Sequence, residues 1–250
     1  MYALLILLII ILIPIPIMSK YMLGRQSAYQ GVFEGIISAI IGVTMVFMFS
    51  QVMTGITIFD RFDAILINVN AADMNMPGMY KMLGLNKLNA SELQTAMDNM
   101  KEIMKLSIPG TIIIWSSIFA YFNYKIVSWL LHKSGKEVSM LPPFRNFSLP
   151  KSVMLGSVLI FVFSYFAANM GIIDKSLIMF NIQMVFSFIY FVQGLAVLFY
   201  SGNMKRVPKV ILIIIAAAII STAIGKTALF ILGLTDVAFD IRKRIFPKQA

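Results

Sequence analysis

The chain has no cysteine, which excludes disulfides, thiolate metal sites and cysteine nucleophiles. Histidine is almost as scarce: the single His132 rules out zinc sites built from several imidazoles and leaves a Ser-His-Asp arrangement only a residue at the edge of an apolar block. Charge is thin as well. Only 13% of the 250 residues are charged while 59% are hydrophobic, against about a quarter charged and about half apolar in an average soluble domain. Phosphate-binding loops are missing too, for Gly225-Lys226-Thr227 echoes the end of one but Ile220 stands where the earlier glycine is required. With no dense carboxylate pair and no nucleophile elbow, the chain is expected not to be an enzyme and to carry no cofactor or metal.

What remains is a sequence of apolar blocks long enough to cross a bilayer. The expected fold is all-α, a polytopic transmembrane helical bundle that forms a single integral membrane domain. Its membrane segments are read at about 2–18, 31–53, 108–131, 153–170, 177–200 and 210–234. The first ends in Ile-Pro-Ile-Pro-Ile and lacks both the basic start and the small-residue cleavage site of a signal peptide, so it reads as a short, proline-distorted span. In the second, Gly31, Gly35 and Ala39 recur every four residues and share one helix face, which lets another helix approach closely. That helix belongs either to this chain or to a partner.

Residues 54–107 read as a polar extracytoplasmic loop ending in an amphipathic helix over 91–106. Ser91 and Gln94 suggest a capping box, and Leu93, Met97, Met100 and Met104 recur opposite Asp98, Lys101, Glu102 and Lys105. Such a helix lies on the membrane surface or covers the bundle, a ligand lid being the sharper alternative. Pro109 suits the first turn of the third block, and Asn123 has a neighbouring helix to bond. Residues 132–152 form a second, cytoplasmic loop in which Pro142 and Pro143 set the chain's shape and so place Phe144 and Arg145 against something. In the fifth block Asn181, Gln183 and Gln193 form no single polar stripe, which favours hydrogen bonds between helices over ligand contacts.

The net charge is +10, from 21 Lys and Arg against 11 Asp and Glu. In a soluble protein that balance suggests nucleic acid. Here the cations cluster in short segments between apolar blocks, so the expected partner is the lipid bilayer and not nucleic acid. The loops holding Lys20 and Arg25, then Lys133, Lys136, Arg145 and Lys151, then Lys205, Arg206 and Lys209 belong in the cytoplasm. Strict alternation of the segments then carries the basic tail, 235–250, to the outside, although Ile-Arg-Lys-Arg-Ile prefers the cytoplasm. Either the last block stops near Gly225 and re-enters or lies flat, or a span is miscounted. In the tail, Asp236, Asp240 and Arg244 follow one another at one-turn spacing and read as a solvated helix end with local pairing. Glu34, Lys125 and Lys226 read as lying near helix ends.

The run Leu141-Pro142-Pro143-Phe144-Arg145, then Leu149-Pro150-Lys151-Ser152, Gln193-Gly194-Leu195, and Asp236 with Phe239-Asp240-Ile241-Arg242-Lys243-Arg244, resembles the YybS family of uncharacterised bacterial membrane proteins. Spacing and order both fit from about residue 20 onward. Members of that family carry further membrane segments before the matched region, so the chain resembles an N-terminally short member. The resemblance implies a multi-pass protein of the bacterial cytoplasmic membrane. At a greater distance it implies a fold like the S components of energy-coupling vitamin transporters and the cell-shape protein MreD. A transport-related role follows as the first expectation: binding a small-molecule ligand, or coupling to a transporter module as a membrane-protein partner. The alternative is a non-catalytic scaffold that anchors cell-envelope or signalling partners through Phe144, Arg145, Arg242 and Arg244.

Overall fold

The structure is a computed structural model that describes residues 8–24, 27–57, 59–60 and 90–245. Among the described residues every regular element is helical. Among these residues three helices are long and apolar enough to cross a membrane, and the number rises to five if each of two bent helix pairs counts as one span. Contacts divide the chain into two units, with the division between Ser139 and Met140.

In the first unit an apolar helix over Leu8–Leu23 has its regular part, α1, at Pro14–Leu23. It is followed by α2 (Ala28–Thr54), α3 (Ala90–Leu106) and α4 (Ile108–Lys133). Pro109 sits in the first turn of α4, where its missing N–H costs no helical bond. The small residues of α2 are buried against α1 and α4. A methyl on Gly31 would run into the Tyr124 ring, and one on Gly35 into the Met18 side chain; Ala39 is fully buried on the same face. Asn123 of α4 donates to the Ile11 carbonyl at 2.8 Å, and the Tyr124 hydroxyl donates to the Ser139 carbonyl at 2.8 Å. Each satisfies a polar group that lipid would leave unpaired.

Amphipathic α3 meets α4 at 54° and leaves Met100, Ile103 and Met104 exposed. Gln94 donates to the Asp98 carboxylate at 3.1 Å, one turn further along the helix. The side chains of Leu93 and Met97, and the part of the 54–107 loop over 61–89, lie outside the described residues.

The second unit holds a single 3-10 turn at Phe144–Asn146, α5 (Lys151–Asn169), α6 (Lys175–Met204), α7 (Lys209–Ile220), α8 (Ala223–Phe239) and the short α9 (Ile241–Ile245). The last apolar block, expected as one segment over 210–234, is two helices bent by 111° at Ser221 and Thr222. The Thr222 hydroxyl accepts from the Gly225 N–H at 3.0 Å and caps the second of them.

α8 packs mainly on α6, and the order of their contacts gives the direction. Tyr190 stacks edge-on against Phe230 with ring centroids 5.9 Å apart, Gly194 meets Leu229 and Gly233 backbone to backbone, Gln193 bonds Asp236, and Tyr200 lies under Arg242. Phe230 lies by Tyr190, whereas Arg242, just past the end of α8, lies by Tyr200 near the end of α6, so α6 and α8 run parallel. The chain leaves the end of α6, climbs through α7, turns back, and returns along α8 to the end it left. With 12 residues, α7 reaches roughly 18 Å, short of a hydrocarbon core about 30 Å thick. The bent pair brings the basic tail back beside the proline-containing loop.

Candidate functional site

Asp236 and Arg242 are buried, not solvated as the tail's spacing suggested: they retain 3% and 9% of their exposure. The helix ends at Asp240, whose φ of 51° and ψ of 49° are left-handed values that Asp tolerates better than most residues. That turn folds the next residues back over the last turn of α8. Arg242 thereby donates its backbone N–H to Asp236 Oδ1 at 3.2 Å and its Nε to Oδ2 at 3.0 Å, while Nη2 stands 2.8 Å from the same oxygen. Its remaining Nη1 donates to the Arg145 carbonyl at 3.2 Å. The guanidinium lies over the Tyr200 ring, 5.7 Å from its centroid.

Gln193, fully buried, closes the network. Its Nε2 donates to Asp236 Oδ2 at 2.6 Å and its Oε1 accepts from the Leu149 N–H at 3.1 Å. The loop is held by two further contacts. Arg145 Nη1 donates to Asn203 Oδ1 at 3.0 Å, and Phe144 packs edge-on against Phe199, centroids 5.9 Å apart. Pro143, at φ −52° and ψ 140°, sets the extended approach to that turn; Pro142, just before it, is exposed. Outside the buried core, Lys151 Nζ pairs with Asp240 Oδ2 at 3.2 Å. This hydrogen bond holds the Asp240 carboxyl below the usual range; partial burial works against it, and the charges of Lys151, Lys243 and Arg244 add to it. Arg244, expected to pair with Asp240, is exposed, and its backbone N–H caps the Asp240 carbonyl at 3.3 Å.

Four sequence segments thus meet at one end of the second unit: the loop through Arg145 and Leu149, α6 through Gln193, α8 through Asp236, and α9 through Arg242. Gly194 is what lets α6 and α8 touch. A Cβ there would collide with the Leu229 carbonyl, and one on Gly233 with the Tyr190 carbonyl. Donors surround the carboxylate and the guanidinium pairs with it, so these contacts tie the four segments together. Among the described residues no group of three His, Cys, Asp or Glu side chains stands close enough to bind a metal ion.

Sequence reasoning missed Tyr190, Ser157, Tyr200, Asn203 and Gly233. Tyr190 donates to the Ser157 hydroxyl at 3.0 Å in the interior. These residues carry no motif, and only the parallel course of α6 and α8 would have pointed to them. Gly31, Gly35 and Ala39 lie in the first unit and are spent on packing there. Lys226, expected near a helix end, lies in the first turn of α8, and that turn is level with the middle of α6. Tyr190 with Phe230, Gly194 with Gly233 and Gln193 with Asp236 are each offset by about forty residues, which sets Lys226 opposite about residue 186, near the middle of α6.

A set of apolar helices that closes a buried ion pair with loop, long helix and tail defines the class: a helical membrane protein whose most distinctive sequence runs form a structural latch. The chain belongs to the family described as "Predicted membrane protein (DUF2232)", which matches residues 1–237. It is 28% identical over 166 residues to "Uncharacterized protein YybS" of Bacillus subtilis (strain 168), covering 63% of this chain and 52% of that protein. The chain thus spans about half the length of that relative. No solved structure matches it.

Proposed function

We propose that this protein is a multi-pass protein of the cytoplasmic membrane that handles a small solute, either as a carrier or as the binding subunit of a transporter. The observation that carries this reading is the hairpin of α7 and α8 beside α6, taken as a re-entrant element and not as a crossing. Broken helices that stop at membrane depth recur in transporters, because irregular backbone there is tolerated only inside protein or against water. The same hairpin supports a cytoplasmic tail. Arg242, Lys243 and Arg244 share an end with Lys151, Lys205, Arg206 and Lys209, which the positive-inside rule assigns to the cytoplasm. On this reading the conflict between alternation and tail charge dissolves, since the last block makes no crossing.

The scaffold alternative loses part of its basis. Arg242 and the Arg145 carbonyl are occupied within the chain, which leaves Lys243 and Arg244 as the exposed cations among the described residues of the tail. The test is purification of the full chain in mild detergent from native cells, with mass spectrometry of both small molecules and proteins. A solute, or an ATPase or other coupling subunit, is expected to accompany it; recovery of neither overturns the reading.

A further inference from the structure

At the close contact of α6 and α8 the facing stripes are apolar or tight: Tyr190 and Gly194 on one, Leu229 and Gly233 on the other. Helical spacing continues both stripes toward the hairpin tip. On α6, Ser187 lies three residues before Tyr190 and seven before Gly194, and Gln183 lies seven before Tyr190. On α8, Lys226 lies three before Leu229 and seven before Gly233. On helical spacing a cation, an amide and a hydroxyl therefore fall on the continued stripes of two helices that touch backbone to backbone one turn away. Gln183 and Lys226 are exposed and Ser187 is half-buried. Among the described residues none of these three side chains has a hydrogen-bond or ion-pair partner.

We propose that Lys226, with Ser187 and Gln183, lines a water-accessible site at mid-membrane depth that takes the oxyanion group, carboxylate or phosphate, of a small molecule. The proposal rests on the reading of α6 as a span and of the protein as solute-handling. A lysine held at that depth is found facing a water-filled cavity or a counter-ion, because hydrocarbon rejects it. One positive charge beside two neutral donors, with no carboxylate among them, is the complement of an oxyanion. A single carboxylate on a partner helix would need the lysine but not the amide and hydroxyl.

The absence of cysteine makes the test direct. Ser187→Cys is introduced into the full chain, reconstituted in phosphatidylcholine vesicles, and modified with anionic and cationic methanethiosulfonates. The anionic reagent is expected to react faster than the cationic one by at least about tenfold, relative to a free thiol, as one nearby unit charge in a partly dry site requires. Adding Lys226→Gln should abolish that preference, and Lys226→Arg should keep it, which separates loss of charge from misfolding. Inorganic phosphate slowing the reaction identifies a free oxyanion as the occupant; slowing by oleate alone identifies a lipid-borne carboxylate. An unreactive thiol in Ser187→Cys, a preference that survives Lys226→Gln, or no slowing by either probe overturns the site. A selective, blockable site in a protein that carries no solute from cells would retire the transport reading and leave the site standing.

Discussion

Asp236 is surrounded by donors on both oxygens, and every one of them belongs to a residue that has no other use for it. A buried pair of this kind adds little beyond what well-packed apolar residues would, but removing one partner strands the other, at about 3–5 kcal/mol. Asp236→Asn is therefore expected to lower the melting temperature in detergent sharply, and Asp236→Leu combined with Arg242→Met to lower it less. A single variant as stable as the double one would contradict the assignment. Asp240 behaves differently because it is only half-buried. Its folded-state pKa is depressed, so the stability it contributes is present above the ordinary aspartate pKa of about 3.9 and disappears as pH falls through the lowered value. An NMR titration should find its midpoint below that of a model peptide, and Lys151→Gln should move it back up. An unchanged midpoint in Lys151→Gln would remove that ion pair from the account.

At the scale of elements, the meeting of α6 and α8 depends on two glycines that admit no side chain. Gly194→Val or Gly233→Val forces the helices apart against their own backbones, a change expected to cost about 3 kcal/mol, at the upper end of ordinary overpacking. It should also loosen the Gln193 to Asp236 bond one turn away. Gly156→Ala is the control, since the added methyl meets nothing within 4 Å. Thermal unfolding of the three variants should rank them accordingly, and a Gly194→Val protein as stable as Gly156→Ala would mean that α6 and α8 do not cross there. The same crossing explains why Gln193 and Gly194 stand together in the sequence: one bonds the partner helix and the other lets it approach.

At the scale of the molecule, the hairpin returns the tail to the end where the second unit's loop lies, so both should be reached from one side of the membrane. In the cysteine-free chain, Ser148→Cys and Lys243→Cys are expected to react with an impermeant maleimide from the same face of oriented vesicles. Ile172→Cys, in the turn between α5 and α6, should react from the opposite face. Labelling of Lys243→Cys together with Ile172→Cys would turn the hairpin into a crossing and restore strict alternation.

Much of this was legible in the sequence. Apolar blocks in lipid have only one way to satisfy their backbone, so composition and block length determine a helical membrane protein and place α2, α4, α5 and α6 to within a few residues. Four-residue spacing of Gly31, Gly35 and Ala39 likewise sufficed to mark a close-packing face. The break at Ser221 and Thr222 was not legible, because hydropathy averaged along a chain is blind to a change of direction that removes no apolar residue. Nor did local spacing say that Asp236 would reach Arg242 and Gln193: that pairing depends on the parallel course of two helices and on a left-handed turn at Asp240. The membrane setting follows from what each residue is. The latch, the return of the tail and the level of Lys226 along α6 follow from which distant residues are brought together, and only tertiary packing decides that.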